Sequence, residues 1–158
     1  MNEIDMINAL IAAGHSGSLE EIKNKLEPKK HVAWKPELEE DYYFICTTGT
    51  VSCSQYDNDY IDKFRLGTGN CYRTEEDAKM ALKIINRIIE LRGGGTPDWD
   101  DLEKEKYTIS YYPYSKRWEV CHQVDVEDLG SIYLPTKEAA QTLIDEFGDD
   151  LFLISGRI

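Results

Sequence analysis

Apolar positions along the chain recur at two spacings, and the alternation of the two lays out its elements. Ala78, Ala81, Leu82, Ile85, Ile88 and Ile89 follow the three-and-four spacing of a helix packed on one side. Thr74 stands where an N-cap belongs, with Glu75 and Glu76 placed against the helix dipole, and Arg92 followed by Gly93 closes the far end. The spacing predicts a helix starting at Glu75 and stopping at Arg92. Ahead of it, Tyr42 to Cys46 and Thr50 to Tyr56 alternate like the strands of a hairpin, and Cys71-Tyr72-Arg73 reads as a third strand.

The same order recurs in the C-terminal half. Tyr107 to Tyr112 and Arg117 to Val124 form a second hairpin pattern, Gly130 to Leu134 a third strand, and Thr136-Lys137-Glu138-Ala139-Ala140 opens a helix continued by Leu143, Ile144 and Phe147. The expected fold is α+β, with two similar strand-strand-strand-helix units on antiparallel sheet. Neither unit can bury its apolar face alone, so the two are expected to share a core through their sheets or to trade helix contacts. Ile4, Ile7, Leu10 and Ile11 on one face, the break at Gly14-His15-Ser16-Gly17 and the capping box Ser18-Leu19-Glu20-Glu21 predict a helical hairpin over residues 1–30. Its short second helix opens with acids, which suits packing on the body or pairing with a second copy better than reading DNA bases. The expected organisation is this hairpin and linker over 1–30, a first unit over 31–92, a Gly-rich then acidic connector over 93–106, and a second unit over 107–158.

Charge narrows the partners. Lys and Arg number 18 against 30 Asp and Glu, a net charge of −12, and residues 93–158 hold 6 of those bases and 14 of those acids. Direct nucleic-acid binding needs neutralised phosphates, so this balance disfavours it and favours a basic protein partner. The candidate partner-binding residues are Asp98, Trp99, Asp100, Asp101, Glu103 and Glu105 before the second hairpin, and Asp125, Glu127 and Asp128 after it. Trp99 would serve as an aromatic anchor among carboxylates. The alternative is a small-molecule site taking a nucleotide, for which Arg65, Tyr72, Arg73, Arg117 and Trp118 would supply phosphate and base contacts.

Motif chemistry is sparse. Asp57-Asn58-Asp59-Tyr60-Ile61-Asp62 alternates acidic oxygens but puts Ile61 at the fifth position of a calcium loop and no Gly at the sixth, so a solvated loop is expected. Gly93-Gly94-Gly95 closes a helix where a phosphate cradle would open one. Cys46, Cys53, Cys71 and Cys121 form no C-x-x-C pair and read as buried free thiols. No metal, cofactor or enzymatic activity is expected. An apolar run long enough to span a membrane is missing, and Asn2, Glu3 and Asp5 stand where a secretion signal is basic, so an intracellular protein is expected.

Trp34-x-Pro36, Glu40-x-Tyr42-Tyr43-Phe44-Ile45, Gly49, Asp62-x-x-Arg65, Gly69-Asn70-x-Tyr72-x-Thr74-x-Glu76-x-Ala78 and the closing Thr136-x-Glu138-x-Ala140 together resemble a widespread group of small bacteriophage and prophage accessory proteins. The resemblance covers roughly residues 34 to 150 and carries no catalytic residues over. It implies a setting, the cytoplasm of a bacterial host. In that setting an acidic chain is expected to bind and inhibit a host protein, most simply a defence nuclease such as a CRISPR effector whose basic channel its carboxylates would fill. A homodimer through the N-terminal helices is the accompanying expectation.

Overall fold

A computed structural model describes residues 34–93, 100–101, 103–123 and 132–155. The helical hairpin expected over residues 1–30 lies outside them, as do most of the connector after Gly93 and the segment after β4. The described residues belong to one unit, Ala33–Ile158.

Its elements run β1 (Asp41–Ile45), β2 (Val51–Gln55), α1 (Tyr60–Gly67), α2 (Glu75–Arg92), β3 (Lys106–Tyr112), β4 (Arg117–Gln123), β5 (Tyr133–Leu134), α3 (Lys137–Phe147), a 3-10 turn (Gly148–Leu151) and α4 (Phe152–Ser155). The fold is α+β, with two small antiparallel sheets. β1 pairs with β2 from Asp41↔Gln55 to Ile45↔Val51, and its other side meets Tyr72 in a single bridge to Tyr43. β3 lies between β4 and β5, with Thr108 facing Cys121 on one side and Tyr133 on the other. In both sheets the first strand of the hairpin is central, and the third segment leads into a helix.

Both helices begin as their sequences dictate. Thr74 Oγ1 accepts the Asp77 N–H at 3.1 Å and Thr136 Oγ1 the Ala139 N–H at 3.1 Å. α2 ends on Gly93 in the left-handed conformation, φ 59°, and the Arg92 guanidinium reaches Tyr133 O at 2.9 Å. That bond ties the end of the first unit's helix to the third strand of the second.

One core serves both sheets. Ala78, Ala81, Ile84 and Ile88 of α2 pack with Tyr72, Ile109, Ile132, Leu134, Ala140, Leu143, Phe147, Leu151 and Ile154. The tail from Leu151 to Ile154 is part of this core, with Leu151 and Ile154 buried. The packed stripe of α2 differs from the expected one. Ile84 is buried while Ile89 is 57% exposed, because α2 is covered by the sheets from one side and by α3 and α4 from another, so its inward arc is rotated toward Ile84.

Two expectations are corrected. The stretch read as a solvated loop continues into α1, because Asp59 Oδ1 accepts the Asp62 N–H at 2.7 Å and so starts a helix. The cysteines are not buried: Cys53 is exposed and Cys46, Cys71 and Cys121 are half-buried. Cys53 sits on the outer strand of a two-stranded sheet, with no further strand beside it among the described residues.

Because the two sheets share α2, Ile84→Ala is expected to cost about 2–5 kcal/mol. Urea unfolding followed by Trp fluorescence and far-UV circular dichroism checks this. Coincident transitions at a lower midpoint are expected, whereas loss of one probe before the other would mean that the sheets fold separately.

Candidate functional site

The most unusual local arrangement is α1, whose amphipathicity is inverted. Asp62, 4% exposed, and half-buried Arg65 point at the sheet, while Tyr60, Ile61 and Phe64 are 80%, 52% and 60% exposed. Most helices on a small domain do the reverse.

The polar side is held by a closed network. Tyr42, fully buried in β1, donates its hydroxyl to Asp62 Oδ1 at 2.6 Å and accepts from Arg65 Nη1 at 2.7 Å. The second oxygen of Asp62 accepts the Asp57 N–H at 2.7 Å. Arg65 lies with its guanidinium carbon 3.4 Å from the centre of the Phe44 ring, a close cation–π stack. Tyr56 meets Tyr42 edge to face at 6.3 Å. Burial alone would push the Asp62 carboxyl up, but the bonds from Tyr42 and from the backbone at Asp57 and Asp59, with the charge of Arg65, outweigh it and hold the carboxyl below its ordinary value. Burial and the same carboxylate push the Tyr42 hydroxyl up.

The segment leaving α1 is held just as closely. The Asn70 side chain accepts the Ile45 N–H at 2.8 Å and donates to Ile45 O at 2.8 Å, imitating a strand partner. Tyr72 and Tyr43 then exchange backbone bonds of 2.8 and 2.9 Å. Asp62-x-x-Arg65 and Gly69-Asn70-x-Tyr72 are therefore architectural: the first fastens α1 to the Tyr42 face of β1, the second fastens the segment after α1 to its free backbone edge.

The sequence-expected ligand residues do not converge. Arg65 stacks on Phe44, whereas Tyr72 lies opposite Tyr43 and joins the α2 core, and alternation puts Phe44 and Tyr43 on opposite faces of β1. Arg73 is exposed at the start of α2. Arg117 is exposed on β4 and pairs with Glu119 at 2.5 Å, while Trp118 turns to the other face and packs with Tyr111 and Phe152 at ring distances of 5.5 and 5.0 Å. An open groove of about 500 Å³ between α2 and α3 is lined by Lys79, Lys83, Arg87, Glu146 and Phe147. None of those five expected residues lines it. Its cations are answered internally, Lys79 by Glu75 at 2.7 Å, Arg87 by Glu146 at 2.7 Å, and Lys83 by the Phe147 ring at 5.6 Å.

Of the acidic candidates, Asp100, Asp101, Glu103 and Glu105 are exposed ahead of β3. Asp101 Oδ1 accepts the Glu103 N–H at 3.1 Å, and the buried Lys106 ammonium bonds the Asp101 carbonyl. Glu105 Oε2 in turn accepts the Tyr107 hydroxyl, so these acids are exposed but partly engaged within the unit. Asp98, Trp99, Asp125, Glu127 and Asp128 lie outside the described residues.

Sequence reasoning missed Tyr60, Ile61 and Phe64 as a surface. The signal was present in the spacing of Tyr60 and Phe64 after an Asp59 cap, but the acids around it read as a loop. Among the described residues no group of three or more His, Cys, Asp or Glu is placed to hold a metal ion, and no helix is long and apolar enough to cross a membrane. Compared with protein-family models, curated proteins and solved structures, the chain matches none.

The folded Asp62 carboxyl titrates below the unfolded one, which lies at about 3.9. The network therefore stabilises the fold above that value, and the contribution is lost as pH falls through the folded value. Asp62→Asn is expected to lower stability by about 1–3 kcal/mol at neutral pH and to flatten the acid decline. Urea midpoints collected from neutral pH down into the carboxylate range check both. An unchanged acid slope in the variant would assign the decline to other carboxylates.

Proposed function

We propose that the chain is an acidic accessory protein that binds and inhibits a basic protein of a bacterial host, a nucleic-acid-handling defence nuclease being the target that fits best. The observation that carries this reading is the inverted α1. A helix fixed from inside by Tyr42, Asp62 and Arg65 presents Tyr60, Ile61 and Phe64 to solvent, and exposed aromatics on a rigid element are what an interface uses as anchors. Exposed carboxylates frame that face. Asp57 and Asp59 precede the helix, and the turn carrying exposed Leu38, Glu37 and Glu39 is tied to the same segment by the Glu39 N–H to Tyr56 O bond of 2.9 Å. Lys63 and Lys35 are exposed cations in the same segments.

An apolar centre with an acidic rim complements a basic surface carrying an apolar pocket. The exposed acids at Asp100, Asp101, Glu103 and Glu105 extend the same chemistry. In a chain of net charge −12 they would raise the rate of encounter with a basic channel and give the binding its salt dependence. The phage-like signature supplies the setting. The separation of Arg65, Tyr72, Arg73, Arg117 and Trp118 leaves the nucleotide-binding alternative without a specific observation in its favour.

The test is capture of host proteins from a nuclease-treated bacterial lysate on the immobilised chain, elution in a salt gradient, and a nuclease assay on the basic protein recovered. The double variant Tyr60→Ala/Phe64→Ala is expected to weaken binding by about 2 kcal/mol or more, tens of fold in Kd, with the urea midpoint nearly unchanged because both rings are exposed. Charge reversal at Asp98, Asp100, Asp101 and Glu103 is expected to lower the salt needed for elution. Retention and inhibition unaffected by either change would sink the reading.

A further inference from the structure

β2 is the one sheet edge among the described residues that carries none of the features that block strand addition. β4, the outer strand of the second sheet, bears the Arg117–Glu119 ion pair. β5 on the opposite side has only two residues, and Tyr72 in the first sheet makes a single bridge. Charge and shortness are the usual protections of an edge. β2 is Val51-Ser52-Cys53-Ser54-Gln55, five residues without a charge or a proline.

The hairpin register says which of its backbone groups face outward. Cys46 N–H bonds Thr50 O at 2.7 Å and Tyr56 N–H bonds Glu40 O at 2.9 Å, so the hydrogen-bonded pairs with β1 fall on every second residue, at Thr50, Ser52, Ser54 and Tyr56. Val51, Cys53 and Gln55 therefore turn their N–H and C=O groups away from β1. Among the described residues no strand pairs with them.

We infer that β2 pairs antiparallel with β2 of a second copy of this chain, about a two-fold axis at Cys53. Cys53 is the midpoint of the strand, so the axis sets Val51 against Gln55 of the second copy, Ser52 against its Ser54, and Cys53 against its Cys53. The outward groups at all three odd positions then meet their like in hydrogen-bonded pairs. The pairing turns a two-stranded sheet, marginal by itself, into a continuous four-stranded one. A second copy suits this edge better than a charged partner does, because the strand offers no charge to complement. It is also where two chains of charge −12 can approach with no carboxylate on the contacting strand. Added salt, which weakens binding to a basic partner, should strengthen this association by screening the repulsion.

The two-fold brings the Cys53 Cα atoms to about 5.5 Å, within reach of a short bismaleimide. Cys53 is exposed, while burial and the Asp62 carboxylate push the Cys71 thiol up to about 11, which leaves it a poor nucleophile. The experiment is sedimentation of the full chain across about a hundredfold range of concentration, with bismaleimide cross-linking and peptide mapping. The expected result is a mass that doubles with concentration and a Cys53–Cys53 link. Cys53→Ser should keep the dimer and lose the link. Cys53→Pro removes an N–H that bonds nothing in β1, so it should keep the fold by circular dichroism and remain monomeric. A chain that stays monomeric throughout, links that run through other cysteines, or a folded Cys53→Pro that still dimerises would overturn the inference. Should Cys53→Pro fail to fold, the position of the link in the wild-type chain decides.

Discussion

Everything in the described unit depends on α2 having two sheets to cover. A sheet of two strands and one bridge, or of three strands of which one has two residues, cannot shield an apolar face from water by itself. Ala78 and Ala81 let α2 approach closely, and Ile84 and Ile88 fill the space between the sheets and the α3–α4 layer. Arg92 bonding Tyr133 O, and Arg87 bonding Glu146, fasten the same helix at two further points along its length. The Arg87 pair lies at the solvent boundary and adds little energy, because water screens it. The shared apolar core is what makes the two halves one structure.

With α2 occupied by the core, the far face of β1 needs separate cover, and α1 supplies it by polar means. Tyr42 is the hinge of this solution. Its ring packs between Phe44 and Tyr56, and its hydroxyl both donates to a carboxylate and accepts from a guanidinium. A buried carboxylate is costly unless its lone pairs are used, and those of Asp62 are used by Tyr42 and the Asp57 backbone. The inverted helix follows directly. Since its inward side is largely spent on this network, Tyr60, Ile61 and Phe64 are left facing water while Leu66 is half-buried.

Much of the fold was legible because its punctuation is local. Thr74, Thr136, Gly93 and the alternation around Tyr42 and Tyr107 act through hydrogen bonds and steric preferences within a few residues, so α2, α3 and both hairpins appear near the expected positions. What was not legible depends on distant partners. The apolar arc of α2 is wide enough to pack on either Ile84 or Ile89, and only the position of α3 and α4 selects between them. α1 was hidden because Asp57, Asn58 and Asp59 read as solvated, while the reason Asp62 is buried lies twenty residues away in Tyr42. The ligand residues failed to meet for a related reason: sequence places Arg65 and Tyr72 close together, but strand alternation sends them to opposite faces.

The Asp62-x-x-Arg65, Gly69-Asn70-x-Tyr72 and Thr74 motifs have a physical role, and it limits what they can say about function. Asp62, Arg65, Asn70, Tyr72 and Thr74 each satisfy a backbone or side-chain partner inside the unit. They specify how α1 and α2 are mounted. Tyr60, Ile61 and Phe64 are 80%, 52% and 60% exposed and belong to no buried cluster among the described residues. Exposed aromatics add nothing to the core and increase the tendency to associate. The proposed function rests on their presence on a helix so firmly anchored from the other side.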